Sequence, residues 1–269
     1  MTRPYREHRP HPALEPFVAC YWSYQGRHAG LGASRAEAVV PDACMDLLFD
    51  RRTGSAAVVG AMTRPLPILR EEGTDLFGVR FRPGAARVFV GLPAAQATDL
   101  ALELGSVLGR EGEAVRRRVS ELDAGADVAP AVDAFLLERL GRRGTGRDER
   151  VRAAVGMLTR SNGAVRVDDL ARRVGLGRRQ LERDFLAWVG LGPKATGRIL
   201  RFQAALDRML SRPAASLSSI AFAAGYHDQA HFTREFRTLS GEPPGAYRAR
   251  REAGRADDAS VQDHASAPA

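Results

Sequence analysis

Two short stretches carry side chains suited to reading the edges of DNA bases. Arg178, Arg179, Gln180, Glu182 and Arg183 stand in "RRQLERDF", and Gln229, Ala230, His231, Thr233 and Arg234 in "QAHFTREF". Arg and Gln form paired hydrogen bonds to guanine and adenine in the major groove, which is wide enough for one α-helix. Glu182 either accepts from cytosine or is a plain surface charge. Arg183 and Arg234 are base contacts, phosphate anchors or structural ion-pair partners.

Both stretches belong to a repeat. Ala171 and Gly175 match Ala221 and Gly225 at an offset of 50, and "RRQLERDFLAWVGLGP" matches "QAHFTREFRTLSGEPP" at an offset of 51. The second turn is therefore one residue longer, an insertion that a helix-turn-helix tolerates. In each copy the small Ala lets two helices cross closely, and the Gly ends the first helix where a left-handed residue is needed. Apolar residues at i, i+4 and i+7 (Leu181, Phe185, Trp188; Phe232, Phe236, Leu239) give the second helix a packing face and leave the candidate readers on the other side. Asp228 suits the N-cap of the second reading helix, and Gly177 fills that place in the first. Between the copies, "PKATGRILRFQAALDRMLSR" sets Ile199, Phe202, Leu206 and Met209 at helical spacing behind a proline. Such a helix, about 17 residues and 25 Å long, can hold two reading helices about one DNA turn, or 34 Å, apart.

Charge agrees with this. The 269 residues carry a net charge of +8. Residues 148–252 hold 19 basic and 11 acidic residues, so the whole excess lies in that segment. Excess positive charge points to nucleic acid, an acidic surface or a membrane face. No apolar run approaches the roughly 18 residues of a membrane span, and the N-terminus lacks the apolar core of a secretory signal. Two cysteines without a CxxC pairing, Cys20 and Cys44, fit a reducing cytoplasm and no disulfide framework.

On these residues the C-terminal part resembles the DNA-binding domain of the AraC/XylS family of bacterial transcription regulators. The pattern is carried by Ala171, Gly175, Leu181, Arg183, Phe185, Gly190 and Pro193, then Ile220, Ala221, Gly225, Tyr226, Asp228, Phe232, Arg234, Phe236, Gly241, Pro244, Tyr247 and Arg248. Gly177 replaces the usual Ser, and Thr196 stands where an aromatic is common. The resemblance implies two helix-turn-helix units in successive major grooves of an asymmetric double-stranded DNA site, and a role in activation or repression. It further implies an N-terminal sensing or dimerising domain, often a cupin-like β-barrel, with a small-molecule effector, RNA polymerase and a second copy of the chain as partners.

The N-terminal sequence fits that layout. Short apolar or alternating runs at 17–24, 36–41, 45–50, 55–60 and 76–83 are separated by turn signals and read as strands. "GAARVFVGL" reads as one helical turn, and 106–140 as helices. "YW" at 21–22, "VVPDACMDLLFD" and "GVRFRPGAA" resemble a β-rich N-terminal module of many such regulators. The expected fold is α+β: a β-rich, cupin-like barrel with trailing helices over 1–140, a Gly/Arg-rich linker over 141–148, an all-α double helix-turn-helix domain over 149–252, and a disordered tail over 253–269.

A barrel interior can hold a ligand, with Trp22, Tyr24, Asp42, Cys44, Asp46, Arg80 and Arg82 as candidate lining. Arg80 and Arg82 share strand parity and would together clamp an anion; alternatively both face solvent and Trp22 is core. His8 and His11 lie in a proline-rich arm, with no metal-ligand set on a strand. No cofactor, phosphate loop or catalytic triad is expected, and the chain reads as a non-enzyme. Two rivals stand: a Cys-dependent sensor or enzyme with a DNA-binding tail, and a DNA-binding dimer that needs no ligand. The two cysteines, isolated in apolar strands, read as buried small hydrophobes.

Overall fold

Alternation is the rule in the first hundred residues, and it builds a sheet with one dry face. In the computed structural model, which describes residues 5–26, 36–69, 73–123, 125–142 and 148–253, eight strands form there. They are β1 (Tyr5–His8), β2 (Val18–Gln25), β3 (Ala36–Val39), β4 (Met45–Asp50), β5 (Ser55–Val59), β6 (Leu66–Leu69), β7 (Asp75–Phe81) and β8 (Ala101–Glu103). Six of them make one antiparallel sheet in the order β1-β2-β7-β4-β5-β8, and β3 pairs separately with β6. Met45, Leu47 and Phe49 alternate with half-exposed residues along β4, and Phe77, Val79 and Phe81 alternate with Gly78 and the half-exposed Arg80 along β7, so these side chains share the buried face.

Four helices follow: α1 (Ala86–Val90), α2 (Leu104–Leu108), α3 (Arg110–Ser120) and α4 (Ala129–Gly141). They supply Phe89, Leu104, Val115, Val119, Val132 and Leu136 to the same core. Phe89 stacks on Phe81 at 5.2 Å between ring centroids. The Tyr21 hydroxyl, on an otherwise buried ring, donates to Asp133 in α4 at 2.6 Å.

The division into a β-rich part and an all-α part is as expected, but the sheet is open and no closed barrel forms. Its edges are β1 and β8. All four residues of β1 are exposed, so that edge has no apolar face to drive closure.

Six helices continue the chain: α5 (Asp148–Arg160), α6 (Val167–Arg173), α7 (Arg178–Trp188), α8 (Pro193–Ser211), α9 (Leu217–Ala223) and α10 (Gln229–Ser240), with a last helical stretch over 244–253. Phe202 in α8 is fully buried and meets Phe236 of α10 edge-on at 5.1 Å, while Phe232 and Tyr247 flank Phe236 at 5.4 and 5.5 Å. Each such ring gains about 1.5–3 kcal/mol from burial, so α8 is the axle on which the neighbouring helices sit. Most of the expected linker (143–147) and the tail (254–269) lie outside the described residues.

Candidate nucleic-acid interface

Two helix pairs, α6–α7 and α9–α10, stand on either side of α8. Each first helix ends in a left-handed glycine, Gly175 with φ +66° and Gly225 with φ +86°. In both pairs the chain is turned by a hydrogen bond from the residue after that glycine back to the small alanine: Leu176 N to the Ala171 carbonyl and Tyr226 N to the Ala221 carbonyl, both at 3.0 Å. The second helices begin as their sequences require. Asp228 caps α10 by accepting from the His231 amide at 2.6 Å, and that bond holds the carboxyl below its ordinary pKa. Gly177 precedes α7 without a side-chain cap. The helix between the pairs, α8, has 19 residues. It is about 28 Å long at 1.5 Å per residue.

Burial divides α7 and α10 as the spacing demands. Leu181 and Phe185, and Phe232, Phe236 and Leu239, are buried; Trp188 is half-buried. On the other side Arg178, Arg179, Arg183, Gln229, Ala230 and Arg234 are exposed, and Gln180, Glu182, His231 and Thr233 are half-exposed. All ten candidate readers therefore fall on the two outward faces.

The two faces differ in electrostatics. On α7, Arg178 pairs with Asp168 of α6 and with Glu182, both at 3.2 Å. Gln180 donates to Asp184 at 2.6 Å, and Arg183 donates to Gln180. On α10, Thr233 donates back to the Gln229 carbonyl at 2.8 Å, while the side chains of Arg234 here and of Arg179 on α7 make no hydrogen bond among the described residues. His231 lies edge-on to Tyr226 and 3.8 Å from Glu235. Glu235 is 7% exposed and accepts from Arg198 of α8 at 3.0 Å, tying α10 to the axle.

Sequence reasoning missed Asp168, Asp184, Arg198 and Glu235. Helical spacing held a signal for two of them: Asp184 is four residues after Gln180, and Glu235 is three after Phe232, hence on its buried side. The contact of Asp168 crosses the turn and leaves no periodic trace.

Residues 170–250 match the helix-turn-helix domain family, and residues 6–103 match a domain of unknown function (DUF6597). A transcriptional regulator of the AraC-type DNA-binding domain-containing proteins from Chromobacterium violaceum is 30% identical over 38% of this chain and 91% of its own, with a TM-score of 0.35. This chain belongs to the AraC-type family of DNA-binding transcription regulators. Among solved structures it is also similar to an apo variant of ToxT from Vibrio cholerae (14% identity, 90% of this chain and 98% of that one, TM-score 0.42). Wild-type ToxT from the same organism bound to an unsaturated fatty acid is 12% identical over 91% of this chain and 93% of its own, with a TM-score of 0.39. No curated protein sequence matches the chain.

In this AraC-type regulator most of the candidate ligand residues meet on the outer face of the six-stranded sheet. Cys20, Arg80 and Asp46 form one cross-strand row on β2, β7 and β4. Arg80 Nε lies 3.4 Å from both Asp42 and Asp46. Burial outweighs Arg80 at Asp46 and raises its carboxyl to about 6. Burial likewise lifts the Cys20 thiol to about 11 and the Cys44 thiol well above its ordinary value, which makes both poor nucleophiles at neutral pH. The Trp22 ring lies over Gly78, where any Cβ would come within 2.0 Å of it, and stacks against Tyr5 at 6.1 Å. Trp22 is thus half-exposed on the sheet and not part of the core. Tyr24 is half-exposed two residues further along β2.

Arg82 does not join this group. It follows the last residue of β7, where strand parity no longer holds, and its Nε donates to the Glu15 carbonyl at 2.9 Å. Arg80 and Arg82 therefore do not converge as a clamp, because Arg80 is paired with aspartates and Arg82 is turned towards Glu15. His8 is on edge strand β1, 3.0 Å from the Ser23 hydroxyl, and His11 caps a short helical turn through Nδ1. Among the described residues no cluster of His, Cys, Asp and Glu is arranged to hold a metal ion, and no helix is long and apolar enough to cross a membrane.

Proposed function

We propose that this regulator binds double-stranded DNA in the cytoplasm with α7 and α10 in successive major grooves, and that its N-terminal domain controls the fit. The observation that carries the reading is the pair of outward helix faces, each carrying Arg and Gln, held on one continuous helix about 28 Å long. That length approaches the roughly 34 Å between grooves one turn apart. The exposed arginines neutralise phosphates and make affinity salt-dependent, while side chains on the two faces choose the sequence. In this reading residues 149–252 form the DNA-binding unit, and 1–140 a sensing or dimerising unit joined by the segment at 141–148. The group of Trp22, Tyr24, Asp42, Cys44, Asp46 and Arg80 supports a small-molecule effector site: it gathers aromatic and charged side chains on a sheet face outside the main core.

A pull-down of fragmented genomic DNA with the full-length protein, sequenced at two salt concentrations, tests this. The expected result is a compact motif with two sub-sites about one helical turn apart. Salt-sensitive binding with no motif overturns the sequence-reading role.

A further inference from the structure

Both reading helices end against one piece of the N-terminal domain. Helix α7 closes at Gly190, whose carbonyl oxygen accepts from the Thr98 hydroxyl at 2.8 Å. One turn earlier Ala187 O accepts from Arg87 of α1 at 3.4 Å, and the Arg87 guanidinium lies 4.8 Å over the Trp188 ring. Helix α10 closes at Gly241, where a Cβ would sit 3.6 Å from Pro65 Cγ. Thr98 and Pro65 belong to two loops that are tied together. Asp99 accepts from the Thr63 amide at 2.7 Å and from its hydroxyl at 2.6 Å, and the Asp99 amide donates to the Ala61 carbonyl at 3.1 Å. Asp99 adopts a left-handed backbone (φ +59°) to make these bonds. A third contact reaches the axle: Gln203 of α8 donates to the Pro41 carbonyl at 2.6 Å.

We infer that residues 61–65 and 94–99 form a platform that sets the spacing between the two reading helices, with Thr98 and Asp99 as its positioning residues. The inference rests on the two-groove reading. The platform holds α7 by hydrogen bonds, and lies beside α10 at Pro65, at the end of each helix opposite to the one that enters the groove, which gives it leverage. Helix α7 has 11 residues. It is about 16 Å long, so a tilt of about 10° at its C-terminal end moves its N-terminal end by about 3 Å. That is close to the roughly 3.4 Å rise of one base pair. A clamp that removes this freedom makes the protein sensitive to the exact separation of two sub-sites. Without it, the tilt of α7 is set only by its packing on α5, α6 and α8.

The test uses the full chain and the bipartite site selected by the wild-type protein from random duplex DNA. A panel of duplexes lengthens or shortens the gap between sub-sites by one and two base pairs, and fluorescence anisotropy reads each affinity. The wild-type protein is expected to lose affinity about tenfold for one inserted base pair. Thr98→Val, which keeps the volume and removes the hydroxyl, and Asp99→Asn, which weakens the tie to Thr63, should reduce that penalty to about threefold or less. Thr98→Ser restores the hydroxyl and should restore the steep profile. Thermal melting of each variant separates loss of the clamp from loss of the fold, because an unfolded variant binds no duplex at any spacing and a released one binds several. If both variants fold and keep the wild-type spacing profile, the platform does not set the spacing. If the wild-type protein selects no bipartite site, the two-groove reading itself fails, a different result from the first.

Discussion

Gly190 and Gly241 close α7 and α10 at equivalent places in the repeat, and both have φ +85°. An alanine in that left-handed conformation costs about 1–2 kcal/mol at either position. Their surroundings differ. At Gly241 the new methyl group would touch Pro65 Cγ at 3.6 Å, an ordinary contact. At Gly190 it would lie 2.8 Å from Thr98 Oγ1, 3.1 Å from the Ala94 carbonyl oxygen and 3.3 Å from its carbon. Thr98 has little freedom to swing aside, since its hydroxyl is already donated to Gly190, and the other two atoms are backbone. Over-packing of this kind adds about 1–3 kcal/mol. Gly241→Ala should therefore lose about 1–2 kcal/mol and Gly190→Ala about 2–5 kcal/mol. Urea unfolding of the full-length protein, followed by far-ultraviolet circular dichroism, measures both. Equal losses would mean that the turn after α7 does not rest on the N-terminal domain in solution, and the argument for the platform would go with it.

Other expectations concern single side chains. Arg234→Ala should weaken binding to the selected site by about 1–3 kcal/mol and relax the choice at one base pair, as read by anisotropy over single-base variants of the site; unchanged binding removes it from the interface. Arg183→Ala should cost less in the same titration, because Arg183 must first give up Gln180. Glu235→Ala removes the partner of Arg198, but Arg198 is 42% exposed and can turn to water. Its stability loss, followed by thermal melting, should be that of one charge-assisted hydrogen bond, about 1.5–3 kcal/mol. Asp46 titrates near pH 6 in the folded chain against an ordinary value near 4. Between those values the folded state binds more protons than the unfolded one, so the contribution of Asp46 to stability falls as pH rises through that window. Asp46→Asn should remove this slope, whereas a contribution that grew with pH would show that Arg80 outweighs burial.

Much of the C-terminal half was legible because its elements repeat. Two copies of one pattern, matched through Ala171 and Ala221 and through Phe185 and Phe236, fix helix boundaries that a single copy leaves ambiguous. The same logic explains the gaps elsewhere. Strand β1 is exposed at all four residues and carries no alternation to detect. Strand β6 contains Pro67, which weakens any strand reading, and β8 has only three residues. The open sheet was out of reach for a related reason: alternation reports which face of a strand is dry, but not which strand lies beside it. The pairing of Asp42 and Asp46 with Arg80 was half-visible, since the aspartates stand near each other in sequence while their partner comes from β7. Arg82 misled because parity holds only while the strand lasts.

The contacts that join the two halves are the least legible, and their chemistry explains why. Thr98 to Gly190, Arg87 to Ala187 and Gln203 to Pro41 each end on a backbone carbonyl. A carbonyl carries no side-chain signature, so half of every such contact is invisible in the sequence. The donors are ordinary residue types, on the short helix α1, a turn and the long helix α8. The two reading faces raise a similar point. Helix α7 holds Arg178 and Gln180 against Asp168, Glu182 and Asp184, whereas on α10 the one N-terminal acid, Asp228, is spent as a cap and Glu235 is buried against Arg198. In the two-groove reading α7 must exchange partners before it contacts DNA, and α10 need not. Beyond the one base pair it reads, the exposed Arg234 then adds attraction to any duplex, while α7 repays its lost ion pairs only where base edges replace them, so discrimination should rest more on the first unit than on the second.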